Sequence, residues 1–399
     1  MSAGRIPEDP RTEEAAGTER HRALGVWTLL ALGVNGIVGV GIFFTPNLVA
    51  LAVPGTAGVW AYALTLLALL PVALTYARLG ARFDRDGGPY VWACAAFGPA
   101  VGFVVGFAAY ASAVLSTSAV LAGLGEYTAP LLGFGAQKQA FSLLAAMLFA
   151  AVVGAGLRPS AWVWSSLTVL KLVPLVLLVG VFLTIGVGLE PVTSQPLLKS
   201  PWWSRAVLLI VFPMQGFEIV PVPGSHVRSA ERAIPIATIG SLVLCAGLYM
   251  LIHWACVRSM GDLALSDAPL VAAARALGGF KLAALVSLGT NVSAVGIAFG
   301  MMAMTPRYLA ALDFGGGKSG ESSGLGAESL HQVPGRALFV TLVLVLILLS
   351  WGALSRLFVL SSVAVLFQYS VSVLSLGVLA WRRAHGLAPR DALAAPFAL

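Results

Sequence analysis

Apolar runs long enough to cross the hydrocarbon core of a bilayer, roughly 20 residues each, recur along nearly the whole chain. No other feature constrains the fold so tightly. Backbone N–H and C=O groups in lipid find no water, so each run must satisfy them internally and therefore be a helix. Charged residues make up 10% of the chain and hydrophobic ones 58%, whereas roughly a quarter of a soluble globular chain is charged. A water-soluble fold could not cover its surface with so little charge. The runs place spans at 24–50, 57–82, 91–123, 138–157, 161–187, 203–226, 235–258, 281–306, 335–353 and 356–381. The expected class is all-α integral membrane, with about ten transmembrane helices.

Residues 1–23 are polar and carry Glu8, Asp9, Glu13, Glu14 and Glu19 among several arginines. A signal peptide places its apolar stretch nearer the start and ends at a small-residue cleavage site. This stretch therefore reads as a disordered tail, with span 1 as an uncleaved insertion signal. Taking the tail as cytoplasmic puts sixteen lysines and arginines on its side of the membrane and seven on the other, with Lys171 inside a span. That asymmetry fits the positive-inside rule. It implies a multi-pass protein of the inner (plasma) membrane with both termini cytoplasmic. The net charge of +7 forms no contiguous basic run, so lipid and a small cargo are the expected partners, and nucleic acid is not. Cys94, Cys245 and Cys256 are isolated in or near apolar runs and read as small buried hydrophobes, with no disulfide framework or CxxC metal site.

The spans have a two-part rhythm. Span 1 has a glycine-broken centre, Gly36-Ile-Val-Gly-Val-Gly41, flanked by Asn35 and followed by Pro46. Span 6, five spans later, breaks at Pro213-Met-Gln-Gly216. An odd-numbered unit repeated once must sit inverted in the membrane, and interrupted helices at corresponding positions point to an inverted-repeat transporter with a midplane site. The expected division is a tail at 1–23, a first five-helix repeat at 24–187, an extracellular link at 188–202, a second repeat at 203–382 and a cytoplasmic segment at 383–399. Gly102 and Gly106 read instead as close-packing glycines.

An unwound helix centre frees N–H groups on one half-helix and carbonyls on the other. The N–H groups attract a carboxylate, the carbonyls an ammonium or a metal cation. Two breaks facing each other therefore suit a zwitterion, and glycine lets backbone approach the ligand.

These residues also carry a family resemblance. Gly36-Ile-Val-Gly-Val-Gly-Ile-Phe43 resembles the helix 1 signature of the amino acid–polyamine–organocation (APC) superfamily of permeases. Tyr76 through Tyr90 with Ala96-Phe-Gly-Pro99, Gly216-Phe-Glu218 with Ser229 through Pro235, Thr305-Pro-Arg307 through Asp313, and Gln368-Tyr369 resemble later regions in the same order. The resemblance implies a LeuT-type 5+5 inverted-repeat bundle with substrate between spans 1, 3, 6, 8 and 10. Ile37, Gly39 and Gly41 would offer backbone to the substrate carboxylate, with Val38 between them. Phe212, Pro213 and Gln215 would meet its amine and shape the pocket, with Phe212 as a lid and Gly216 closing the break.

Where many members have a glutamate, this chain has Arg78. Arginine/agmatine exchangers have serines where it has Val40 and Ala364. The missing hydroxyls argue against a cationic cargo and for a neutral or small apolar one. Ser112 and Thr117 are candidate replacements, although such hydroxyls also bond back to their own helix. The family usually continues to twelve helices; Ala395-Pro-Phe-Ala-Leu399 resembles the start of the link to helix 11, so helices 11 and 12 are expected to be absent.

Lys171 lies deep in span 5, where an ionisable group is by default functional. Some proton-coupled members have a lysine there, in place of the Na⁺ of related transporters. The expectation is that Lys171 cycles a proton, held by carbonyls of the span 1 break and polar groups such as Asn291 or Ser293. Glu218 follows the span 6 break and is a second proton-coupling candidate, expected to meet span 1 backbone or Asn35; a structural role is the alternative. His253 reads as packing. No metal or cofactor is expected; a proton gradient would drive transport. An exchanger, a channel and a non-transporting sensor are the alternatives. A membrane enzyme is disfavoured, because the spans contain almost no clustered Asp, Glu or His and no HExxH, P-loop or GxSxG arrangement.

Overall fold

A computed structural model describes residues 24–83, 88–155, 161–186, 201–222, 227–310, 312, 335–351 and 354–386, with side chains omitted for 161–168. The predicted tail, most of the 188–202 link, Asp313 and the chain beyond 386 lie outside the described residues. The helices are α1 Val26–Ile37, α2 Gly41–Ala52, α3 Ala57–Arg82, α4 Pro89–Phe97, α5 Pro99–Leu131 and α6 Lys138–Gly154. They continue with α7 Ala161–Val181, α8 Trp203–Met214, α9 Ala230–Ser259, α10 Pro269–Ala310, α11 Gly335–Trp351 and α12 Leu354–Ala384. Among the described residues the only β pairing is an isolated bridge, Leu24 with Val227.

Seven of the described helices are long and apolar enough to cross a membrane, or eight if the bent pair α1 and α2 is one span. The shorter apolar helices α8 and α11 fall at the predicted spans 6 and 9. Large apolar side chains such as Trp60, Phe107, Leu148 and Phe367 are exposed on the outer surfaces of these helices, where lipid would cover them. The chain is a multi-pass membrane protein.

Two predicted boundaries are corrected. Span 3 does not run from 91 to 123: α4 ends at Phe97, and the crossing helix α5 begins at Pro99 and continues to Leu131. Gly98, at φ 99°, ends α4, and Pro99 suits the first turn of the next helix, where its missing N–H costs nothing. Span 8 is longer than 281–306: α10 starts at Pro269 and bends at Gly279, at φ 68°. Apolar content marks the hydrocarbon depth, and a helix is free to extend beyond it.

Lipid tails are as apolar as leucine, so helices associate through close packing. A Cβ on Gly102 would overlap Cys94, and one on Gly289 would overlap Pro174. The first contact seats α5 on α4; the second seats α7 against α10 one turn from Lys171. α9 lies against α3 and α1, and α5 against α10 and α12. The buried side chains form two main clusters. One gathers Ile37, Val38, Ile42, Met214 and Phe217 with α3, α7 and α9; the other gathers Val40, Phe44, Phe212 and Phe358 with α5, α6, α10 and α11. The broken span α1–α2 lies on the seam between them.

Candidate functional site

The two breaks meet. α1 ends at Ile37, α2 begins at Gly41, and their axes differ by 51°. On the other side, α8 ends at Met214, and a 3₁₀ turn follows at Phe217–Ile219. Gly216 joins them at φ 121°, and a Cβ there would overlap the Gly36 carbonyl and the Ile37 nitrogen. A Cβ on Gly41 would lie 2.9 Å from Pro213 Cβ. The first N–H groups of α2 have no intrahelical acceptor by geometry, so a helix N-terminus and two unwound backbones share one place.

Lys171, on α7, is buried beside this junction. Its Nζ donates to the carbonyl of Asn35 at 2.8 Å and to that of Val38 at 2.7 Å. The ammonium therefore satisfies carbonyls that unwinding leaves without helical partners. Tyr249 Oη, from α9, donates to the Ile37 carbonyl at 2.9 Å, and Tyr127 Oη, from α5, to that of Phe43 at 2.6 Å. Of the span 8 groups, on α10, expected near Lys171, Asn291 is engaged elsewhere: it accepts from Thr128 Oγ1 at 2.7 Å and donates to the Ser287 carbonyl. Ser293 Oγ is buried with no partner among the described residues.

Glu218 takes partners the sequence did not suggest. Its Oε2 accepts from the Gly216 N–H at 2.7 Å and from Tyr369 Oη at 2.9 Å, linking the span 6 break to α12. Tyr369 and Phe217 each pack edge-on against Tyr76 and tilted against one another, and Tyr76 also abuts Trp92. Gln368 and Ser372 each donate to Tyr76 Oη at 3.1 Å. This aromatic block closes the junction on the side of the α3 C-terminus.

On the other side, Phe212 of α8 stacks on Phe358 of α12, centroids 4.0 Å apart and planes 16° apart. Three residues further, Gln215, the first residue past α8, faces Ser361 of α12, whose Oγ donates to Gln215 Oε1 at 3.4 Å. Ser361 also shares a 2.6 Å hydrogen bond with Ser116 of α5. Among the described residues Gln215 Nε2 is buried without an acceptor.

The structure thus brings Ile37, Val38, Gly39, Gly41, Phe212, Pro213, Gln215 and Gly216 to one junction, with Lys171 and Glu218 at its edges. Ser112 is buried on α5 one turn from Ser116. Thr117 bonds back to the Ala113 carbonyl at 2.7 Å and to Thr305, so its hydroxyl is already engaged. His253 is fully buried beside Tyr62, rings 5.3 Å apart, and all three cysteines are buried and free. Sequence reasoning missed Ser116, Ser361, Tyr127 and Tyr249. The signal for Ser116 was present, since it repeats Ser112 at i+4 on one face. A cavity of about 350 Å³ lies elsewhere, among Glu126, Lys138, Gln139 and Trp351. Among the described residues no three His, Cys, Asp or Glu side chains gather in a way that could hold a metal.

The family profile described as "Amino acid permease" matches residues 24–398. The chain is 28% identical to an uncharacterised transporter of Mycobacterium tuberculosis, over 73% of this chain and 65% of that one. It is 26% identical to the methylthioribose transporter of Bacillus subtilis, over 71% and 64%. It is 25% identical to a serine/threonine exchanger of the same organism, over 72% and 67%. The matched region spans about 65% of the length of the first of these relatives.

Proposed function

The chain belongs to the amino acid permease family, and on that premise we propose that it is a secondary active transporter of neutral amino acids, small apolar ones included. Its family and its relatives are transporters and permeases, so it is not an enzyme. In this reading the membrane is the inner (plasma) membrane, both termini are cytoplasmic, and ten spans form a LeuT-type 5+5 inverted-repeat bundle that works by alternating access. One observation carries the reading: the backbone of the span 6 break lies directly against that of the span 1 break, at Gly216 and Gly36. An α-carboxylate would take the N–H groups that open α2, and an α-ammonium the carbonyls around Phe212 to Gln215. The two-cluster core supports alternating access, because the junction lies on the seam where one cluster would move against the other.

Coupling in this account is proton symport. Lys171 occupies the position between carbonyls that would suit a bound cation, and it exchanges its proton as the span 1 break rearranges. Glu218 is a second coupling group, since it ties the span 6 break to Tyr369. One relative is named an exchanger, which makes amino acid antiport the second reading. Two relatives are named for unlike cargoes, methylthioribose and serine/threonine, so membership alone does not choose the substrate.

Counterflow tests the proposal. Purified protein in liposomes preloaded with unlabelled neutral amino acids should accumulate labelled amino acid transiently above equilibrium. Flux without overshoot would make it a channel, and binding without flux a sensor.

A further inference from the structure

The pairs Phe212–Phe358 and Gln215–Ser361 are successive layers between the end of α8 with its break and α12, each residue three positions from the next along its own stretch of chain. The first layer is a ring stack. The second is polar, and it extends onto α5 through the Ser116–Ser361 hydrogen bond of 2.6 Å. A polar layer directly beneath an aromatic closure, beside the junction of two breaks, is placed to meet whatever side chain the cargo carries.

That layer is incompletely bonded. The Ser361 to Gln215 contact, at 3.4 Å, is long against the roughly 2.5–3.0 Å of a well-formed O–H···O bond. Gln215 Nε2 is buried with no acceptor among the described residues. Buried polar groups are nearly always paired, and a site with a free donor beside a stretched donor–acceptor contact is completed by one added oxygen. A hydroxyl oxygen fits both demands: it accepts from the amide nitrogen and donates to a serine oxygen or to Oε1. None of Gln215, Ser361 and Ser116 is charged, and Lys171 and Glu218 are directed to Asn35, Val38, Gly216 and Tyr369. An ionic cargo side chain would find no counter-charge in this layer.

We infer that Gln215, Ser361 and Ser116 form a side-chain reader that selects neutral cargo bearing a hydroxyl, favouring polar amino acids over their apolar isosteres. This rests on the proposed function and narrows its substrate class. Threonine and valine are the discriminating pair, because they share a shape and differ by one hydroxyl. An apolar pocket barely rejects an added hydroxyl, whereas a site built to hydrogen-bond one strongly rejects the analogue lacking it.

The test is counterflow of labelled threonine and valine by the full chain in proteoliposomes, compared as kcat/KM. The expected ratio favours threonine by at least about tenfold. Ser361→Ala and Gln215→Leu should each bring it toward one. Equal or better valine transport by the unaltered protein overturns the inference and leaves the transporter reading standing. So does an unchanged ratio in both variants. Absence of counterflow for every neutral amino acid overturns the transporter reading itself. Should either variant fail to fold, the ratio of the unaltered protein decides.

Discussion

The Nζ of Lys171 lies 2.7 Å from the carbonyl oxygen of Val38, the residue at which α1 stops being helical. A second carbonyl, that of Asn35 one turn back, lies 2.8 Å away. A buried ammonium is tolerated only where such acceptors replace water. Loss of the proton would remove the charge that strengthens both hydrogen bonds, which is how a proton on α7 would bear on the shape of span 1.

Gly216 should not tolerate a side chain. Its φ of 121° and the Gly36 carbonyl against it make Gly216→Ala strained in two ways. Backbone strain of this kind alone costs about 1–3 kcal/mol. Unfolding in mixed micelles should show at least that loss, together with loss of counterflow. A variant that keeps its stability would place the close approach elsewhere.

Tyr369→Phe removes one of the two donors to Glu218 Oε2 while keeping the ring against Tyr76 and Phe217. A typical hydrogen bond contributes about 0.5–1.5 kcal/mol, and a loss in that range is expected in the same unfolding assay. Glu218→Gln retains an oxygen able to accept from both donors. If Glu218 exchanges a proton, this variant alters the pH profile of uptake with little change in stability; an unaltered profile assigns Glu218 a structural role.

The Phe212–Phe358 stack should appear in a double-mutant cycle. Phe212→Ala and Phe358→Ala, alone and together, are expected to couple by about 0.5–1.5 kcal/mol, the range for aromatic pairs. Additive losses would mean that the rings only fill space. His253 offers a contrast, because both its ring nitrogens are buried without partners among the described residues. Replacing such orphaned polar atoms is nearly neutral or stabilising, so His253→Leu should keep or raise the melting temperature. A large fall would reveal a partner for the imidazole.

The parts of this site legible in the sequence were those that leave a compositional mark. Backbone can approach backbone only where glycine stands, so the glycines at 36, 39, 41 and 216 showed in an apolar background. Lys171 showed because an ionisable group is rare in such a run. The hydroxyl network did not show. Serines and threonines in these helices commonly bond to their own backbone, as Thr65 does to Ala61 and Ser370 to Leu366. Nothing local distinguishes Ser361, whose partners Ser116 and Gln215 are far off in the chain. The α4–α5 break was hidden for a different reason: apolar residues continue through Gly98, so hydropathy alone joined two helices.

Accumulation driven by a proton gradient tests the central claim most directly. Proteoliposomes carrying the unaltered protein should concentrate a neutral amino acid when the outside is made acidic, and a protonophore should abolish the effect. Lys171→Ala proteoliposomes, with protein content matched, should show no gradient-driven accumulation. Accumulation by that variant equal to that of the unaltered protein would contradict the account, and Lys171 would then be a structural cation holding the span 1 break in place.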